Sequence, residues 1–309
     1  MLASTQRKSV ALPFDPATVG DDVVLSQAQV ALRSGLFDQA LLCAGIVADR
    51  TKDLEWRCEA LRIKSNAHRM LCQWTDALNA ARREVETATS AKMDNRLAEA
   101  RNAEAAVYLT RGEPELARPI LVEGLKTAKT PRLLGVLWQN LGIVETSLGR
   151  FNEAESALDT SRGFFDAAGD QWGVACTLIN QGCVRLDTGD AEGATLVFAK
   201  AIAAGRAAND LDLVSSAMMN QARAYFRLGR LDDAEFHASS AAGFYVSSKM
   251  ALRYAECLMV LGDIELARGE PDIALRCWRR GLETAESLEA TGIRDELKQR
   301  LQQDLGHSR

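Results

Sequence analysis

Proline and aromatic side chains are scarce in this chain. Six of its 309 residues are proline, and Phe, Trp and Tyr together make up 6%. A β-sandwich depends on aromatic and β-branched residues, and a disordered chain lacks apolar ones, whereas here 47% of residues are hydrophobic and alanine is abundant. The composition therefore indicates a folded, helix-rich protein.

A strong charge of one sign is also missing. The net charge is −5, and acidic and basic residues are interspersed, so nothing points to nucleic acid or an anionic membrane as a partner. The seven cysteines are odd in number and contain no C-x2-C pair, which is typical of reduced thiols rather than a disulfide framework. No stretch of 18 apolar residues and no apolar signal segment occurs, so we expect a cytoplasmic location.

A spaced pair of small residues recurs along the chain. A glycine is followed five residues later by an alanine in six copies, and Cys72 replaces the glycine in one more. The alanines are Ala40, Ala77, Ala117, Ala154, Ala194, Ala234 and Ala274. Their steps are 37 or 40 residues, and a near-constant period of this length predicts a stacked array of repeats.

Each repeat reads as two helices joined at the glycine. Before Gly149 the apolar residues Trp138, Leu141 and Val144 have helical spacing, and a second periodic run begins at Ala154. A glycine between the runs can take the left-handed conformation that ends a helix. We therefore predict an N-terminal arm (1–20), a single domain of seven repeats (21–290), and a capping helix with a tail (291–309).

The capping helix is predicted from one apolar stripe after the last repeat. Ile293, Leu297, Leu301 and Leu305 follow one another at four-residue intervals among charged residues. A stripe of this kind would cover the apolar end of the array.

These motifs resemble the tetratricopeptide repeat family, whose pattern is W-x2-L-G-x2-Y, A-x3-F and a final proline. The matching residues are Trp138, Leu141, Gly142, Ala154 and Leu158 in one copy, and Tyr108, Gly182, Ala194, Phe198, Tyr225 and Gly262 elsewhere. Glu145 stands where tyrosine is expected, the proline is mostly absent, and the period exceeds the family's usual 34 residues. The resemblance implies an all-α, right-handed α-solenoid of seven helix-turn-helix repeats with a C-terminal cap.

The resemblance also implies a binding groove, because first helices line the concave face in this family. An asparagine stands nine residues before the turn glycine in repeats four to six. The groove residues expected on this basis are Gln139, Asn140, Asn180, Met219, Asn220, Arg223, Phe226 and Arg227. Carboxamides could pair with the main chain of a bound segment, and the arginines could hold a carboxylate. Alternatively, the asparagines bond neighbouring helices and set the repeat angle.

The function that this implies is a protein- or peptide-binding adaptor or scaffold subunit. The alternative is a ligand-responsive signalling regulator that acts on a separate effector protein, as in the peptide-sensing repeat regulators of bacteria. No catalytic motif appears, so we expect no enzyme and no cofactor. Cys176 and Cys183 share a helical face, but two thiols without a histidine do not make a zinc site, and we expect no metal. The sequence does not indicate an oligomeric state.

Overall fold

The structure, a computed structural model, describes residues 15, 18–287 and 291–307, with the backbone alone at 291 and 303–307. In this part of the chain there are fifteen α-helices and no strand. The helices are α1 (Asp21–Arg33), α2 (Phe37–Arg50), α3 (Leu54–Met70), α4 (Trp74–Ser90), α5 (Asp94–Thr110), α6 (Pro114–Leu125), α7 (Pro131–Ser147), α8 (Phe151–Ala167), α9 (Gln171–Asp187), α10 (Ala191–Ala207), α11 (Leu211–Arg227), α12 (Leu231–Ser247), α13 (Ala251–Ala267), α14 (Pro271–Ser287) and α15 (Thr291–His307).

The predicted all-α fold of seven helix pairs and a C-terminal helix is confirmed. Helices α1 to α14 form the pairs, in which the odd-numbered member is the first helix and the even-numbered member the second. The predicted arm lies mostly outside the described residues, and so does the side chain of Leu305. Within the described residues, no helix combines the length and the apolar character needed to cross a membrane.

The turn inside each pair has the backbone conformation that the sequence predicts. Gly149 has φ +71°, and the six turn glycines all lie between +70° and +86°. Cys72 takes the same conformation with φ +55°, although side chains other than glycine rarely do so. The Cys72 turn is therefore a true seventh copy, held in place by the helices on either side.

Small residues let the two helices of a pair approach closely. The alanine five residues after each turn is completely buried in all seven pairs. Gly182 likewise allows close approach from a first helix, because a Cβ at this position would lie 2.4 Å from the ring of Phe198. Gly262 stands equally close to the indole of Trp278, at 2.3 Å. The motif glycine is thus required by packing against an aromatic ring of the second helix.

The described residues form two compact units, one up to Ala157 and one from Leu158. The C-terminal helix α15 belongs to the second unit and covers its last pair. Leu297 is fully buried in one cluster with Trp278, and Arg300 makes a two-bonded ion pair with Asp263, at 2.7 and 2.9 Å. The capping role expected for this helix agrees with these contacts.

Candidate functional site

Three successive first helices of the first unit line a cavity of about 700 Å³. It lies along α3, α5 and α7. The polar residues of its lining are Arg62, Asn66, Arg69, Glu99, Asn102, Thr110, Thr130, Arg132 and Asn140, and the apolar ones are Ala103, Ala106, Leu109, Leu133 and Val136. The volume is within the range of about 300–1,000 Å³ that ligand sites usually have.

Helical periodicity explains why these side chains meet. Arg62, Asn66 and Arg69 are spaced by four and three residues on α3, so they share one face. Asn102, Ala106 and Leu109 repeat this spacing on α5. The cavity wall is therefore built from the same face of consecutive first helices.

An amide pair joins two of these helices inside the cavity. The Nδ2 group of Asn140 on α7 donates a hydrogen bond of 2.6 Å to Oδ1 of Asn102 on α5. Both side chains are half-buried and line the cavity. For Asn140 the structure therefore shows the interhelical bond that was the alternative to the ligand role.

The arginines of the cavity differ in their partners. Arg62 is paired with Glu59, and although burial opposes its charged form, that carboxylate outweighs burial and raises the pKa of Arg62. Arg69 donates from Nη1 to Oγ1 of Thr110 at 3.1 Å and makes a long contact of 3.5 Å to Oδ1 of Asn66. Both of these partners are neutral. Among the described residues no carboxylate forms an ion pair with Arg69, and burial lowers its pKa.

The polar face continues towards the N-terminal end of the first unit. A smaller cavity of about 350 Å³ lies between α1 and α3 and shares Arg62 and Asn66 with the larger one. Gln29 on α1 donates a 3.0 Å hydrogen bond to Glu59 there. Polar side chains thus follow the first helices from α7 to α1.

A buried carboxyl group lies on α4, which packs against both α3 and α5. Glu84 is fully buried, and within the described residues neither of its carboxyl oxygens has a hydrogen-bond partner. Removal from water disfavours its charged form and raises the pKa of Glu84 well above the usual value. Burial therefore favours the neutral, protonated form of this carboxyl group.

In the second unit the expected groove residues have varied surroundings. Asn180 on α9 is half-buried and makes no hydrogen bond to any described residue. Asn220 on α11 donates to the Ser216 carbonyl at 3.1 Å and contacts Arg223 at 3.4 Å. Arg227 donates to the Leu186 carbonyl at the end of α9. The repeated asparagine therefore has different surroundings in each copy.

One of the residues expected in the groove, Met219, lies in the core instead. Met219 is only 5% exposed and packs in the core of the second unit with Ala222 and Ala238. It follows the buried stripe of α11 because it stands four residues after Ser215 and three before Ala222. Phe226 packs partly against the same core, and Gln139 is half-buried in the first unit.

The sequence analysis missed the residues of α3 and α5. Arg62 and Asn102 stand ten residues before their turns, whereas the repeated asparagine stands nine residues before its turn. The spacing of Arg62, Asn66 and Arg69 on one helical face was a signal that could have found them.

The two cysteines of α9 are protonated thiols. Burial raises the pKa of Cys176 to about 12 and that of Cys183 to about 11. Metal ions bind the thiolate form, so these thiols are poor ligands. Within the described residues, no cluster of three or more ligand-type side chains is found.

Comparisons with known proteins agree with this architecture. A family model described as Tetratricopeptide repeat matches residues 215–238, in α11 and α12. No curated protein matches the chain by sequence. A Rap protein complexed with Competence and Sporulation Factor has a TM-score of 0.67 at 14% identity, over 90% of this chain and 80% of that one.

Two further solved structures are similar. A signal transduction ATPase with a tetratricopeptide repeat sensor from Pyrococcus horikoshii has a TM-score of 0.66 at 13% identity, over 90% of this chain and 44% of that one. The APC/C hetero-tetramer Cut9–Hcn1 has a TM-score of 0.63 at 16% identity, over 89% and 49% respectively. At these identities the likeness shows the fold, which is that of tetratricopeptide-repeat proteins.

Proposed function

We propose that this chain of tetratricopeptide-type repeats is an adaptor or scaffold subunit that binds a segment of another protein along its first helices. The observation that carries the proposal is the cavity of α3, α5 and α7. Amide side chains from all three helices converge there, at Asn66, Asn102 and Asn140.

The lining suits a polypeptide because it combines two kinds of contact. Carboxamides can donate to main-chain carbonyls and accept from main-chain N–H groups, so they hold an extended segment without requiring one sequence. Ala106, Leu109 and Val136 supply apolar surface for side chains of that segment. Apolar contact provides affinity and the fixed amides provide orientation.

We extend the proposal to further residues on first helices. Gln139 and Asn140 on α7 serve in the first unit. Asn180 on α9, with Asn220, Arg223, Phe226 and Arg227 on α11, serve in the second. Met219 is left out because it is part of the core.

The similar proteins support a binding role rather than a particular partner. One is recorded in complex with Competence and Sporulation Factor, and another as the hetero-tetramer Cut9–Hcn1. Both are assemblies with a second component. For the present chain the corresponding partner is proposed to be a protein segment.

The proposal is tested by selecting ligands for the purified chain from a displayed library of random peptides. Ala106 lines the cavity and is half-buried. Ala106→Trp therefore fills the cavity, and we expect it to weaken binding of the selected peptides at least roughly tenfold. Ala203→Trp is the matched control, since Ala203 is exposed on the second helix α10. A library that yields no ligand, or ligands that Ala106→Trp leaves unaffected, would contradict the proposal.

A further inference from the structure

We propose that Arg69 is the centre of an anion subsite that takes an internal Asp or Glu side chain of the bound segment. This inference rests on the proposed function, because the subsite lies in the cavity of α3, α5 and α7. It adds the chemical identity of one ligand group and the residue that selects it.

The first argument is that the charge of Arg69 is not balanced within the described residues. Its Nη groups contact the neutral side chains of Thr110 and Asn66, and its buried Nε has no acceptor in that part of the chain. A cation withdrawn from water is costly unless it is paired. A carboxylate from a ligand would supply the missing partner.

A comparison with other arginines supports this reading. Arg62, Arg96 and Arg300 all have carboxylate partners, at Glu59, Glu99 and Asp263 among others, and their pKa values are raised. Among the arginines of the described part whose pKa departs from the usual value, Arg69 alone has a lowered pKa. Burial acts on it with no opposing carboxylate. Its setting thus differs from that of the structural ion pairs.

The second argument is the local charge. Three arginines and one glutamate line the cavity, and one of the arginines, Arg62, is paired with Glu59, although the whole chain carries a net charge of −5. The glutamate, Glu99, is already paired with Arg96 at 2.7 Å. Arg69 therefore makes its part of the cavity complementary to an acidic group in an otherwise acidic protein.

The position of Arg69 indicates an internal side chain rather than a chain end. The larger cavity shares Arg62 and Asn66 with the smaller one between α1 and α3. A segment that lies over Arg69 has room to continue in that direction. If the peptide ended at Arg69 with its C-terminal carboxylate, no residue of the peptide would contact Arg62 and Asn66.

The test is a double-mutant cycle with a peptide from the library selection. We expect the peptides selected on the natural chain to share an Asp or Glu at one position. Replacing that acid by its amide should weaken binding to the natural chain roughly tenfold or more, because a charge-assisted hydrogen bond is lost. On Arg69→Gln the same replacement should have little effect. The loss on the natural chain should also shrink at high salt.

Two controls complete the cycle. Arg83 is exposed on α4, so Arg83→Gln removes the same charge away from the cavity and should preserve the preference for acid. Amidating the peptide C-terminus should leave the affinity unchanged. Arg69→Lys keeps the charge and should retain the preference, which checks the result independently if Arg69→Gln folds poorly.

The outcomes separate the two proposals. Suppose that Ala106→Trp blocks binding, but that replacing the peptide acid by its amide weakens binding equally on the natural chain and on Arg69→Gln, or on neither. The acid subsite is then wrong, while the adaptor function stands. If amidation of the C-terminus abolishes binding, a chain end occupies the subsite and the internal acid is wrong. If Ala106→Trp leaves binding intact, or no peptide is selected, both proposals fail.

Discussion

The side-chain amide of Asn140 on α7 is bonded to that of Asn102 on α5, at 2.6 Å. The equivalent residue in the next repeat but one, Asn220, instead bonds the Ser216 carbonyl of its own helix, and Asn180 bonds no described residue. An asparagine repeated at one position of the array therefore does not have one shared structural role.

This difference predicts how the asparagines affect stability. Asn140→Ala and Asn102→Ala should each lower the free energy of unfolding by about 1 kcal/mol, because a half-buried interhelical hydrogen bond is lost. Asn180→Ala should leave it nearly unchanged. Urea unfolding followed by circular dichroism measures all three. An equal loss at Asn140 and Asn180 would show a common structural role that the observed bonds do not explain.

The buried carboxyl of Glu84 predicts a pH dependence of stability. The groups facing it are Cys58, Glu59 and Arg62 on α3, and Arg96 and Glu99 on α5. Removal from water raises its folded pKa above the unfolded value. Between these two values the unfolded chain has lost the proton and the folded chain has kept it. Stability therefore falls as pH rises through that range, by about 1.4 kcal/mol per pH unit for this group.

Glu84→Gln tests this dependence because it removes the titrating group and keeps the shape. The variant should gain stability relative to the natural chain as pH increases from the unfolded pKa of Glu84 towards its raised folded pKa. Glu86→Gln, at an exposed position of the same helix, should show no such gain. Parallel pH profiles for the natural chain and Glu84→Gln would mean that Glu84 does not hold its proton.

A motif glycine on a first helix and a glycine on a second helix predict opposite effects of substitution by alanine. Gly182→Ala would bring a Cβ to 2.4 Å from the Phe198 ring, so we expect a loss of about 1–3 kcal/mol in the free energy of unfolding. Gly163→Ala meets nothing within 4 Å and should stabilise α8 by roughly 0.5–1 kcal/mol. Thermal unfolding compares the two variants. A tolerated Gly182→Ala would contradict the close packing of α9 on α10.

The capping helix gives a prediction for the end of the array. Leu297→Ala should cost about 2–5 kcal/mol, because the side chain is fully buried beside Trp278. Gln302→Ala, at an exposed position of α15, is the control and should be neutral. The loss should be local, since repeats depend mainly on their neighbours. Hydrogen exchange should therefore increase in α13 to α15 and stay unchanged in α1 to α5.

The repeat architecture could be predicted because it depends on local spacing. A glycine that ends one helix and an alanine five residues later indicate the turn and the close contact in six copies. In the seventh, Cys72 could be recognised from its position alone. The stripe containing Leu297 likewise predicted a covering helix. These features follow from helical periodicity within a few turns of chain.

The candidate site was less predictable because it depends on contacts between repeats. Arg69 meets Thr110, which lies 41 residues away, and the absence of a carboxylate partner in the described residues is visible only in three dimensions. Met219 was misplaced because a neighbouring residue on a helix is rotated by about 100°. Asn220 is therefore half-buried, whereas the adjacent Met219 faces the core. Sequence spacing alone did not show where the core begins.

The central claim, that a protein segment lies along α3, α5 and α7, is tested most directly by site-specific photo-crosslinking. A benzophenone side chain is placed at Ala106, inside the cavity, and separately at the exposed Ala203 on α10. Each protein is irradiated with a labelled peptide from the library selection. We predict a covalent product from position 106 and none from position 203. Crosslinking from position 203 but not from position 106 would contradict the proposed site.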